Sequence, residues 1–196
     1  MPDATDDDAL TYAPVGVTRL RARDGDAWRH AGVDAAYRVL AVRHRLVRGG
    51  TEADRAALAD DVRSWRLHRS AGVGIEADGP AAAGAHVVSV LGAGPVAMRG
   101  PCRVLWADAE GFGYGSLAGH PVAGEEAFRV TRDAAGDVWL EVEAYSRPVL
   151  VWARLAGPLV PLAQRAYVAN LARAARALHR RRARGRGAGA GGTMPG

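Results

Sequence analysis

The chain has no lysine: its 26 basic residues are all arginine. Together with 25 glycines and heavy alanine usage, this reads as a genome-wide compositional bias with no functional meaning of its own. Cysteine is almost absent too. Cys102 stands alone, which excludes an intramolecular disulfide and a cysteine-based metal cluster. Its place between Pro101 and a strand-like run suits a small buried hydrophobe. No apolar run approaches the length of a membrane span. Met1 to Asp8 is acidic and lacks the basic flank and apolar stretch of a signal peptide. These absences favour the cytoplasm.

Acid is missing from one end. From Val151 onward there are nine arginines and no Asp or Glu, so that segment carries +9 and the first 150 residues carry −4 of the total of +5. The pI of 10.1 is therefore a property of the tail. Recognisable catalytic signatures are missing as well. There is no glycine-rich phosphate loop, and Gly115-Ser116-Leu117 does not make a nucleophile elbow. The six histidines, at 30, 44, 68, 86, 120 and 179, show neither H-x-H nor H-E-x-x-H spacing, so no metal and no cofactor is expected.

What is present is enough for one domain. The 196 residues are 48 % apolar, which fills a core without staples. The pattern predicts an acidic disordered stretch over 1–9, a single α+β domain over 10–182, and a disordered Gly/Arg-rich tail over 183–196. Leu10 to Leu20 reads as a short strand or turn against the body, and Ala35 to Val47 as a strand. Thr51, with Asp54 three residues on, caps a helix whose stripe of Leu58, Val62 and Trp65 continues to a stop at Gly72. Beyond it the apolar period becomes two. His86–Leu91, Cys102–Ala107, Phe112–Leu117, Glu126–Thr131 and Val138–Tyr145 read as strands with short turns between them. The prediction is an antiparallel meander of about six strands, one face apolar and the other, with Arg129, Glu141 and Glu143, more polar. Leu159, Leu162, Leu171 and Leu178 then predict a long helix from about Pro158 or Pro161 to about Arg182. A curved sheet gripping that helix leaves room for a small-molecule cavity.

Two polar clusters stand out. In Gly111 to Phe128, three spaced glycines let a ligand or backbone approach a strand. Tyr114 alternates with Phe112 and Ser116, and His120 precedes Pro121 in a loop beside Glu125 and Glu126. His120 with these carboxylates fits a proton shuttle, and it equally fits a hairpin fixed by hydrogen bonds. The second cluster is Glu143, Tyr145, Ser146 and Arg147 at the end of the last strand, where Arg147 could pair with Glu125 or Glu126 or bind an anion. For Trp65, Trp106, Trp139 and Trp152, core packing is the first expectation and cavity lining the alternative.

The segments Tyr114-Gly-Ser-Leu-Ala-Gly-His-Pro-Val-Ala-Gly-Glu-Glu-Ala-Phe128 and Val138-Trp-Leu-Glu-Val-Glu-Ala-Tyr-Ser-Arg-Pro148 resemble uncharacterised protein family 0548, a bacterial and plant domain of unknown function. Leu10-Thr-Tyr12 with Val15-Gly16, the Leu46 to Gly50 stretch, Trp65 to Gly72, Pro101 to Val104, Leu155 to Pro158 and the final helix extend the likeness over roughly residues 8 to 180. One departure is Val47-Arg48, where a glycine would be common. The family's strongest positions map onto Tyr114, Gly119, His120, Pro121, Gly124, Glu125, Glu126, Phe128, Ser146 and Arg147. The resemblance implies no assigned activity. Its order of elements is similar to the helix-grip fold of the START and Bet v 1-like (SRPBCC) superfamily, whose members hold apolar ligands between sheet and C-terminal helix.

Three functions follow as expectations. The first is binding of a hydrophobic small molecule between sheet and helix, with Tyr114, His120, Glu126, Phe128, Tyr145, Ser146 and Arg147 as lining residues. The second is a cyclase, isomerase or hydrolase using His120 with Glu125 or Glu126. The third is a nucleic-acid or protein interaction through the Arg-rich C-terminus, whose attraction to phosphates would be salt-dependent. The sequence does not indicate an oligomeric state.

Overall fold

A computed structural model describes residues 9–21, 25–92, 97–149 and 159–190. Expectations for Met1 to Asp8, the loop through Pro95, the lead-in with Trp152 and the last six residues lie outside these.

The period-two segments pair as strands β1 (Arg38–Val47), β2 (Gly74–Glu76), β3 (His86–Leu91), β4 (Met98–Ala107), β5 (Gly111–Ser116), β6 (Val122–Arg132) and β7 (Val138–Pro148). They form one curved antiparallel sheet in the order β1-β7-β6-β5-β4-β3-β2. The meander is sequential from β2 to β7, and β1 returns to flank β7. The sheet has seven strands where about six were expected; the short edge strand β2 falls in the Gly72 to Ala85 stretch, which reads as a strand ending at a loose loop.

Three helices follow the apolar inner face. Helix α2 (Glu52–Arg63) starts at a reciprocal cap, in which the Asp54 N–H donates to Thr51 Oγ1 at 3.1 Å and the Thr51 N–H to Asp54 Oδ2 at 3.0 Å. It does not run on to Gly72. The backbone turns left-handed at Trp65, with φ 62°, and a second short helix, α3 (Arg66–Ser70), follows. The Trp65 indole fixes this break by donating to the Gly79 carbonyl at 2.9 Å. The final helix, α4, spans Leu159–Ala190. It lies on the sheet through Val168, Leu171, Ala172 and Ala175, all 0–1 % exposed, and the two alanines let its backbone come close. It passes the expected end at Arg182, and an ion pair from Arg186 to Asp54 at 3.1 Å holds the added turn.

The outer face of the sheet is more polar, as expected, yet it is buried. The N-terminal segment lies across it: a 3-10 turn at Val17–Leu20, helix α1 (Gly25–His30) and the chain to Tyr37. Tyr12, Val17, Trp28, Val33 and Tyr37 pack there with Ala123 and Tyr145 as a second core. Arg129, 2 % exposed, pairs with Glu143 at 2.9 Å, donates to the Thr18 carbonyl and lies 4.4 Å from the Trp106 ring centre. Trp106 reaches this face because a bulge between Val104 and Trp106 shifts the register of β4.

The glycine-spaced strand β5 is part of the same arrangement. A side chain at Gly115 would collide with the Tyr12 ring, so it is the protein's own N-terminal segment that makes this close approach.

Candidate functional site

Strand alternation decides which face each polar residue of β6 serves. Because β6 starts at Val122, the adjacent carboxylates Glu125 and Glu126 point to opposite sides of the sheet. Glu125, 2 % exposed, turns outward. Its oxygens accept from the Gly16 N–H at 2.7 Å, the Thr18 N–H at 2.9 Å, the Thr18 hydroxyl, and the Tyr12 and Tyr145 hydroxyls at 3.3 and 3.1 Å. This carboxylate clamps the N-terminal segment to the sheet, and its acceptor capacity is filled.

Glu126 turns inward, into a cavity of ≈ 60 Å³ between the sheet and α4. The walls include Cys102, Tyr114, Ser116, His120, Ala144, Ser146 and Gln164. The Tyr114 hydroxyl donates to Glu126 Oε2 at 2.9 Å. Among the described residues Oε1 has no hydrogen-bond partner and stays open to solvent, and no arginine pairs with the carboxylate. Desolvation therefore pushes the Glu126 carboxyl up from about 4.5 to about 7, against the lowering effect of the Tyr114 hydrogen bond. Tyr114 and Tyr167 are themselves held well above the usual phenol value, first by burial and then by the neighbouring Glu126 charge. The Cys102 thiol is raised for the same reasons.

His120 sits in the wall. Its Nδ1 lies 2.7 Å from the Val122 carbonyl and 3.1 Å from the Val122 N–H, and Gly100 leaves room for the ring: a Cβ there would lie 2.6 Å from Nε2. Burial lowers its pKa. On its far side is an open groove of ≈ 690 Å³, bordered by Thr11, Arg38, Leu117, Arg147 and Val149 among others. Among the described residues His120 alone borders both spaces. It is thus fixed by the turn and also lines the cavity, so the two readings of this residue coexist.

Tyr114, His120, Glu126 and Ser146 come together at the cavity. Phe128 lies next to Tyr114, with ring centres 5.9 Å apart, but belongs to the sealed core. Tyr145 and Arg147 do not face the cavity. Tyr145 is caged by Tyr12, Trp28 and Tyr37, and Arg147 reaches across Tyr37, 5.3 Å from its ring centre, rather than pairing with Glu125 or Glu126. Trp65 and Trp106 pack in the interior, and Trp139 lies under Arg43 at 3.9 Å.

Sequence reasoning missed Gln164 and Tyr167, which the helix brings over the site, and gave Cys102 only a packing role. It also missed His68. That ring is 1 % exposed, lies among Trp65, Phe112 and Phe128, and has no hydrogen-bond partner on either nitrogen. Desolvation lowers its pKa to about 3, so it is neutral. No group of three or more metal-ligating side chains converges among the described residues, and no helix among them is long and apolar enough to cross a membrane.

The family model for a domain of unknown function, DUF1990, matches residues 11–174. The chain belongs to this family. This DUF1990 protein is 50 % identical over 66 residues to a UPF0548 protein of Deinococcus radiodurans, covering 34 % of this chain and 33 % of that one. It is 42 % identical over 55 residues to a UPF0548 protein of Arabidopsis thaliana, covering 28 % and 27 %. The match thus spans a third or less of the length of these curated relatives. Among solved structures, a Thermus thermophilus protein superposes with a TM-score of 0.54 at 14 % identity over 72 % of this chain and 97 % of that one. Major latex-like protein 151 of Panax ginseng gives 0.52 at 12 % over 74 % and 99 %, and a Thalictrum norcoclaurine synthase point mutant gives 0.51 at 12 % over 76 % and 99 %. The DUF1990 chain therefore has a Bet v 1-like, helix-grip fold.

Proposed function

We propose that this protein is a cytoplasmic binder of a small, largely apolar molecule carrying one polar group, held between the sheet and α4 with that group on Glu126 and Tyr114. The observation that carries this reading is the Glu126 carboxyl: half-buried and desolvated, without a cation, and with one oxygen lacking a protein partner at a partly open cavity. That oxygen is open to solvent, and a ligand hydroxyl or amine would take the place of water on it. The ≈ 60 Å³ is room for about two waters, so a whole ligand requires the cavity to widen. The beginning of α4 supports that: Leu162, Ala163, Arg165 and Ala166 are exposed and Gln164 is half-buried, whereas firm burial starts at Val168. Lifting residues 162–166 therefore sacrifices little packing.

A second reading rests on one observation, that a carboxyl near pH 7 exchanges protons readily at neutral pH, as a general acid or base must. Under it Glu126 transfers the proton and Tyr114 orients the carboxyl. A norcoclaurine synthase point mutant with this fold has been captured with a transition-state analogue, a precedent for chemistry on this fold. Glu125, with its acceptor capacity filled on the other face, has no part in either reading.

Native mass spectrometry of gently purified protein, with extraction of any adduct, tests the binding reading. A stoichiometric apolar adduct that is weakened in Glu126→Gln supports it. A clean apo mass, under conditions that preserve weak complexes, counts against it. An adduct unaffected by Glu126→Gln or Tyr114→Phe would place the site elsewhere.

A further inference from the structure

At least eight of the 16 described arginines before α4 meet an acid. Arg43 meets Glu141, Arg45 meets Asp137, Arg99 meets Glu76 and Arg129 meets Glu143. Helix α4 divides its arginines differently. Arg182 forks onto the buried Asp61, Arg186 reaches Asp54, and Arg176 donates to the Arg45 carbonyl. These bolt the helix to the body. Arg165, Arg173, Arg180, Arg181 and Arg184 are all exposed and make no ion pair among the described residues. At about 100° per residue these five fall within a sector of about 160°, and at 1.5 Å per residue they span about 28 Å of helix. Arg182 and Arg186 fall outside that sector, toward the body, and Arg176 lies at its edge, about 20° from Arg165.

A preference for arginine over lysine explains the type of cation but not the missing acids. All 21 acidic residues lie at or before Glu143. Among the described residues this face carries one bulky apolar residue, Leu162 at its start, 66 % exposed; its other exposed members are Ala163, Ala166 and Ala183. A membrane-surface helix inserts bulky apolar residues, and a protein interface uses aromatic or aliphatic hot spots; here the apolar face is already buried on the sheet. An open band of guanidinium forks along the helix suits a chain of phosphates.

We propose that the outer face of α4 binds the phosphate backbone of duplex nucleic acid without sequence preference. The surface is turned away from the cavity, so the proposal stands apart from the ligand reading. Five phosphate contacts predict a slope of log K against log [salt] of about −4.5, hence a fall of about 500-fold between 50 and 200 mM salt.

The test is fluorescence anisotropy of the full chain with a labelled 20-base-pair DNA duplex across that range. The expected result is that slope in the wild type. Replacing all five residues (Arg165→Gln, Arg173→Gln, Arg180→Gln, Arg181→Gln, Arg184→Gln) should flatten it to shallower than about −1. Replacing only Arg180 and Arg184 should leave about −2.7. Glutamine is a good helix former and none of the five touches the body, so circular dichroism should be unchanged. No binding at 50 mM salt, or a five-site variant with the wild-type slope, overturns the proposal. So does binding to phosphatidylglycerol vesicles through the same arginines when the duplex does not bind.

Discussion

Replacing Glu126 with glutamine keeps the shape of the side chain and an oxygen that accepts from Tyr114, and removes only the ability to ionise. The carboxyl holds its proton to about pH 7 in the fold against an ordinary value near 4.5. As pH rises, the unfolded chain gives up this proton first, so wild-type stability is undiminished below pH 4.5, falls through the interval to pH 7, and levels off above it. At roughly 1.4 kcal/mol per pKa unit, the loss has a ceiling of about 3 kcal/mol. Tyr114, Tyr167 and Cys102 stay neutral across this window because burial raises all three. The downward shift of His120 limits its charging at the acid end. Urea unfolding of both proteins from pH 4.5 to 8.5 isolates the effect, since titrations common to the two cancel. The variant should match the wild type at pH 4.5 and exceed it by about 2–3 kcal/mol at pH 8. A difference independent of pH would refute the desolvated-carboxyl picture and remove the basis for placing a ligand's polar group there.

Glu125→Ala strands buried donors under the N-terminal segment; at 1–3 kcal/mol for each left unsatisfied, partly relieved by water, a loss of about 4 kcal/mol is expected in urea unfolding. A cost under about 1 kcal/mol would mean the clamp contributes little. His68→Phe keeps the ring among its aromatic neighbours and removes a group whose folded pKa is depressed to about 3. Wild-type stability from this group is full above pH 6.5 and lost as pH falls, so the variant's advantage should widen by about 3 kcal/mol between pH 8 and pH 4; a constant advantage would sink the argument. Gly115→Ala forces Tyr12 off β5 and should cost about 2 kcal/mol with a change in Trp28 fluorescence, whereas an unchanged spectrum would show that the segment does not press on that strand.

The sheet was legible because alternation over five to eight residues is a direct imprint of a surface with two faces. The inner face, with Phe128, Val130, Leu140 and Val142, emerged from that alone. Reading the penultimate strand from Glu126, four residues late, hid the most informative point, that Glu125 and Glu126 cannot serve one site. Starting the count at Val122 separates them. The helix break at Trp65 carries no Gly or Pro signal; it depends on an indole reaching a carbonyl fourteen residues on, which local pattern cannot show. The cover over the outer face was illegible for a related reason. The described residues of 10–37 form little regular structure and are held by side-chain contacts to partners more than a hundred residues away, such as Thr18 to Glu125. The cavity's own members, Cys102, Tyr114, Glu126, Ser146 and Gln164, come from five elements, and only the resemblance to a known family gathered several of them in advance.

Cys102 turns the cavity into something that can be timed. It is the sole thiol of the chain, 2 % exposed, and part of the wall beside Glu126. Burial keeps it protonated and unreactive while the space is closed. A small alkylating reagent can reach it only when α4 or the His120 wall yields. With no competing cysteine, the labelling rate follows the closed-to-open equilibrium at low reagent and the opening rate itself at high reagent. A bound ligand would slow that clock in proportion to its occupancy, so affinity could be read without knowing the ligand's spectrum, its chemistry or its name.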